Sequence, residues 1–111
     1  MTAARLVPGS LLTATPAAYY TAGAAERAII QKGTLANNSS GAVTVNLWLP
    51  ASGGVPGDDS RVLVNYSLAA NATISLRDAL AAHVVEPNGG IWASASAAGV
   101  VGLMVSGERL T

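Results

Sequence analysis

The feature that most constrains the fold is a repeated alternation of apolar and polar residues in short runs. The clearest run spans residues 43–49, in which valine and leucine alternate with threonine, asparagine and tryptophan. Because successive side chains of a strand point to opposite faces, such a run predicts a half-buried strand. Similar runs recur at a spacing of roughly ten residues, with Gly, Asn, Ser or Pro between them. The pattern predicts an all-β fold: a single antiparallel β-sandwich, jelly-roll or immunoglobulin-like, of about eight short strands.

Local turn chemistry suggests how these strands are connected. Asn and Gly within residues 37–41 predict a hairpin that pairs a strand at 27–37 with the strand at 43–49. Gly33 is expected to bulge the first of these strands, because Ile30 and Leu35 lie an odd number of residues apart. Further strands are predicted at residues 62–68, 74–76, 91–96 and 101–105, the last two as a C-terminal hairpin. Residues 76–83 could form a short helical turn, although an extended segment is favoured.

The N-terminal part differs from the rest of the chain. Residues 1–16 contain two prolines and a glycine and show little periodicity, so we expect an extended arm with a short strand at 10–13. Residues 17–111 then form the β-sandwich domain. The arm is expected to pack on a neighbouring subunit through Leu6, Val7, Leu11 and Leu12.

Charge is scarce in this chain. Only 11% of its 111 residues are charged, whereas about a quarter is usual, and 50% are hydrophobic. Six basic and six acidic residues are scattered and cancel, so no patch for nucleic acid or an anionic membrane is evident. A neutral, weakly charged surface favours association with other chains. The composition therefore predicts a self-associating protein, such as a symmetric homo-oligomer.

Residues capable of chemistry are few. Cysteine is absent, and the single histidine, His83, has no carboxylate at helical spacing except Glu86, so a surface or interface histidine is expected. Asp58 and Asp59 are two adjacent acids, too few for a calcium loop, and solubility of that loop explains them better. We therefore predict no catalytic, metal or cofactor site and no enzymatic activity. Four glycosylation sequons, at Asn37, Asn38, Asn65 and Asn71, are expected to be turn and strand residues, since no signal peptide is evident and synthesis in the cytoplasm is expected.

Aromatic residues are the strongest candidates for a binding surface. Trp48 and Trp92 each lie on the strand face opposite the aliphatic stripe, and Tyr19 and Tyr20 lie near the start of the domain. Three interpretations remain open for the tryptophans: a covered second face of the sheet, an oligomer interface, or a ligand contact.

An ordered set of short motifs resembles a group of small bacteriophage virion proteins. The resemblance covers residues 19–108 and rests on the segments 20–22, 27–39, 43–50, 68–71, 91–96 and 105–108. Residues 84–90 depart from the group, which tends to show a Gly-Asp turn there.

The resemblance implies a structural role without catalysis, in a virion assembled in the host bacterial cytoplasm. It favours a capsid decoration, or cement, protein that binds copies of itself and the major capsid proteins. A neck or tail accessory that binds tail proteins is an alternative. A carbohydrate-binding β-sandwich, in which the same tryptophans stack on sugar rings, is the rival from another class.

Overall fold

The computed structural model describes residues 2–50, 57, 61–76 and 83–110, and it confirms the predicted all-β architecture. Two antiparallel sheets pack into a β-sandwich, and the described residues contain no helix. The nine strands are β1 (Thr2–Leu11), β2 (Ala17–Thr21), β3 (Arg27–Asn37), β4 (Val43–Trp48), β5 (Arg61–Leu68), β6 (Thr73–Ser75), β7 (Val84–Val85), β8 (Gly90–Ala95) and β9 (Val101–Leu110).

The pairing of strands differs from the predicted hairpins. The first sheet has the order β1-β9-β3-β6, with β7 also paired to β3, and the second has the order β2-β8-β4-β5. Strands β3 and β4 therefore lie in different sheets, and so do β8 and β9. Both predicted hairpins are wrong, because the turns at 38–42 and 96–100 carry the chain from one sheet to the other.

The buried side chain of Asn37 explains the first of these crossovers. Its amide Nδ2 donates hydrogen bonds to the carbonyl oxygens of Gly41, Leu68 and Ala69, at 2.9, 3.2 and 3.1 Å. Its Oδ1 accepts hydrogen bonds from the backbone N and the Oγ of Ser39 at 3.0 and 2.8 Å. One amide thus holds the β3–β4 turn against the end of β5, a contact that no local turn preference encodes.

Alternation within the strands builds the core between the two sheets. In β4 and β9 the alternate residues Val45, Leu47, Leu103 and Val105 are fully buried. The exposed surface of the whole chain is 5615 Å², which matches the ~5,600 Å² expected of a compact monomer of this mass. The scarcity of charged residues is therefore not accompanied by a larger exposed surface than a compact monomer has.

The bulge predicted in β3 is present, but at a different residue. The register between β3 and β9 shifts between Ile30 and Lys32, so the extra residue is Gln31, and Gly33 pairs regularly with Val105. This bulge places Ile30 and Leu35 on the same buried face, as their burial shows. Close approach of the strands here depends on Gly107, because a Cβ at that position would lie 2.1 Å from the carbonyl oxygen of Ile29.

The N-terminal segment is part of the sandwich, which corrects the predicted arm. Strand β1 pairs with β9 from Thr2 to Leu11. The chain then passes to the second sheet, where the backbone N of Ala95 donates to the carbonyl oxygen of Thr13 at 3.0 Å. Residues 2–13 therefore join both sheets and do not project from them.

Each long edge strand carries an irregularity. Between its paired residues, β1 has two more residues than β9, and β5 has two more than β4. Strand β2 has one more than β8, so in each pair the bulges lie on the edge strand. In β5 the bulged residue Asn65 has a φ of 45°, and β1 contains Pro8, which has no N–H to donate. Bulges and proline disrupt the flat row of free backbone groups that would otherwise pair with another chain.

Candidate functional site

The outer face of the second sheet carries both tryptophans. Trp48 and Trp92 are directly opposite in register on β4 and β8, and the same row continues to Arg61 on β5 and Ala18 on β2. The alternation of β4 and β8 places this row away from the core, as the sequence predicted. Trp48 is nevertheless only 7% exposed, whereas Trp92 is half-buried.

Polar groups lie beside Trp48 at the β5 end of the tryptophan row. The guanidinium of Arg61 lies 5.5 Å from the centre of the Trp48 ring, a cation–π arrangement. Arg61 also donates from its NH1 to Asn46 Oδ1 at 3.2 Å. The backbone N of Asn65 donates to the same oxygen at 2.8 Å, and Asn46 Nδ2 donates to Asn65 Oδ1 at 3.2 Å. These polar groups bind one another, so the network stabilises the bulged edge of β5.

Tyr20 belongs to a charged cluster at the margin between the sheets. Its hydroxyl donates to Glu26 Oε1, and Glu26 Oε2 lies 4.0 Å from the NH1 of Arg109 on β9. Burial, followed by the hydrogen bond and the negative charge of Glu26, raises the pKa of Tyr20 from 10.0 to about 12. Tyr19 lies beside it and accepts a hydrogen bond from the backbone N of Thr13 at 3.0 Å. Both tyrosines pack against the core and connect elements of this chain.

The leucine and valine residues predicted to form an interface separate into two groups. Leu6, Val7 and Leu12 belong to the core of the sandwich. Leu11 lies on the surface, with 55% of its side chain exposed. The alternation could not identify this difference, because Pro8 and Gly9 interrupt it.

A second surface, which the sequence did not indicate, lies on the outer face of the first sheet. A groove of about 310 Å³ is bordered by Leu11 of β1, Met104 and Gly102 of β9, and Thr34 and Ala36 of β3. Met104 is 45% exposed. The signal that could have indicated it is the alternation of β9, in which Gly102 and Met104 lie between the buried residues of the aliphatic stripe.

The remaining candidates do not form a reactive centre in the described part of the chain. No group of three or more His, Asp or Glu residues gathers there as metal ligands. His83 is exposed, and its backbone oxygen accepts a hydrogen bond from Ile30. Asp58 and Asp59 lie outside the described residues, as does most of the segment at 76–83. Of the sequon residues, Asn37 is buried by its hydrogen bonds, and Asn65 and Asn71 occupy left-handed positions at a bulge and a turn.

The fold defines an antiparallel β-sandwich whose two outer faces differ, one bearing tryptophans and the other an apolar groove. The sequence matches no known family model, and neither curated proteins nor solved structures show a match. Among the described residues, no helix is long and apolar enough to span a membrane.

Proposed function

We propose that this chain is a structural protein of a bacteriophage virion that self-associates and decorates the capsid. The resemblance of residues 19–108 to small virion proteins supports the class. The observation that carries an assembly role is the apolar groove on the outer face of the first sheet, which the exposed Leu11 and Met104 border. Exposed apolar surface of this kind is typical of sites that bind other proteins.

The mechanism of a decoration protein is adhesion through buried area. Each subunit contacts neighbouring subunits of the mature shell and copies of itself, and these contacts exist only when the shell is assembled. By mass action, such binding shifts the equilibrium against disassembly. A stable contact of this kind buries on the order of 800 Å² per partner.

The test is cryo-electron microscopy of the assembled particle, compared with particles made without this chain. We expect additional density in symmetric clusters on the capsid exterior only when the chain is present. Density confined to the neck or tail would keep a structural role and refute decoration. Absence of the chain from purified particles would refute the virion role altogether.

Carbohydrate binding is the second candidate, because Trp48 and Trp92 lie in register on one face beside Asn46 and Arg61. Trp48 offers little ring surface, so Trp92 would provide the stacking platform. Titration with glycans should then shift tryptophan fluorescence in the wild type and not in Trp92→Ala. A fluorescence shift that follows protein concentration alone would instead favour self-association.

A further inference from the structure

Gly102 has no role in the internal packing of the sandwich. At Gly107 of the same strand, an added Cβ would collide with backbone, and Gly9 has a φ of 131°, so each of these glycines is required by the fold. At Gly102 the φ is ordinary for any residue, and an added Cβ would meet no atom within 4 Å. Glycine weakens the interior of a strand, and it often marks a place where a ligand or another backbone comes close.

The space above Gly102 is the groove on the outer face of the first sheet. Gly102 alternates with the buried Val101 and Leu103, so its missing side chain would point outward. Leu11 and Ala36 are its register partners on either side. The groove therefore lies above a row of one leucine, one glycine and one alanine, and it can admit an apolar side chain together with its backbone.

Two unpaired cations lie at one end of this groove. Arg5 and Lys32 both stand opposite Ser106, which is two residues along β9 from Met104. Both are exposed, and neither has a hydrogen-bond or ion-pair partner among the residues that the structure describes. Ladder geometry places them ~10 Å apart and ~7 Å from the groove. Among the described residues of this face, the acid Glu108 accepts a hydrogen bond from Gln31 Nε2 at 3.1 Å.

From these observations we infer that the groove binds an extended segment of a partner protein that combines apolar residues with a carboxylate. An apolar side chain enters the groove above Gly102, and the carboxylate binds between Arg5 and Lys32 through charge-assisted hydrogen bonds. Binding occurs on the sheet face because the long edge strands are irregular and resist strand addition. The inference rests on the proposed function only for the identity of the partner, a neighbouring virion protein.

The test is a selection of random displayed peptides on the full-length wild-type protein, with counter-selection on Gly102→Leu. We expect the enriched peptides to combine an apolar stretch with Asp or Glu. Gly102→Leu fills the groove, so it should abolish their binding. The double variant Arg5→Glu/Lys32→Glu should weaken binding by about tenfold or more.

Matched controls separate blocked binding from lost folding. Gly41→Leu introduces the same side chain at another glycine whose Cβ has open space, and it should leave peptide binding unchanged. Circular dichroism melts should show that Gly102→Leu and the charge-reversed variant remain folded. Should Gly102→Leu unfold, Met104→Asp replaces it, because this exposed position borders the same groove.

Three results of the peptide-binding experiment would overturn the inference. In the first, the selection enriches no peptide, and in the second, enriched peptides bind the wild type and a folded groove variant equally. In the third result, Arg5→Glu/Lys32→Glu binds the peptides as tightly as the wild type does. If Gly102→Leu instead dissociates a wild-type oligomer in sedimentation velocity, the occupant is a second copy and the partner segment is refuted. If the enriched peptides bind the protein but purified particles do not contain the chain, the virion role is refuted and the groove assignment remains.

Discussion

Two glycines of strand β9 provide a sharp test of the packing, because the same substitution should have opposite effects at each. In Gly107→Ala, the new Cβ would lie 2.1 Å from the carbonyl oxygen of Ile29 and 3.1 Å from the Cα of Ile30. Both are backbone atoms, so no side-chain rotation can relieve the contact. In Gly102→Ala, the new Cβ meets no atom within 4 Å.

The magnitude follows from the distance that β9 must move. Real Cβ atoms essentially never approach closer than 3.0 Å, so the strands must separate by at least 3.0 minus 2.1, or 0.9 Å. A hydrogen bond of ordinary length does not survive such a displacement. Losing about three ladder bonds, at ~1 kcal/mol each, costs ~3 kcal/mol of unfolding free energy. Gly102→Ala should instead stabilise the strand by ~0.5–1 kcal/mol.

Differential scanning calorimetry of the two variants beside the wild type measures both effects. At ~4 °C per kcal/mol for a domain of this size, Gly107→Ala should lower the Tm by ~12 °C, and Gly102→Ala should raise it by ~2–4 °C. Equal melting temperatures for the two variants would refute the close approach of β3 and β9 at Gly107. A fall of the Tm in Gly102→Ala would refute the open space above that residue.

Three further perturbations test other parts of the sandwich. Asn37→Ala should lower the unfolding free energy by ~3 kcal/mol in urea titrations, because carbonyl oxygens lose their donor, and an unchanged midpoint would contradict this. The pKa of Tyr20 is raised to about 12 in the folded protein. The contribution of its protonated hydroxyl to the unfolding free energy is therefore complete below pH 10 and is lost between pH 10 and 12. Tyr20→Phe should therefore lose less stability than the wild type over that interval, and parallel pH profiles would exclude the effect. Trp48→Ala should lower the unfolding free energy by ~3 kcal/mol and Trp92→Ala by distinctly less, because Trp48 is almost fully buried and Trp92 is not. Equal decreases of the Tm in the two variants would contradict this difference in burial.

Strand positions and faces followed from the sequence because alternation is a local property. Strand β4 and the aliphatic stripe of β9 were predicted from it, and so was the outward position of Trp48 and Trp92. Strand partners could not be predicted in the same way. The turn after Asn37 has the composition of a hairpin, and only bonds to residues more than thirty positions away, at Leu68 and Ala69, make it a crossover.

Neither outer face could be evaluated from the sequence alone. Alternation indicates that Trp48 faces outward but not that it is almost fully buried there. Gly102 resembles any other strand glycine until its surroundings are known, and the cations Arg5 and Lys32 are distant in sequence. They come together only because both pair with Ser106.

The bulges of the edge strands also determine how this protein responds to its medium. Many sheet proteins keep their edges apart by charge, and salt or a change of pH weakens that protection. Here β1, β2 and β5 are irregular in backbone shape, which ionic strength does not alter. The edges formed by these three strands therefore resist edge-to-edge pairing over a wide range of salt and pH.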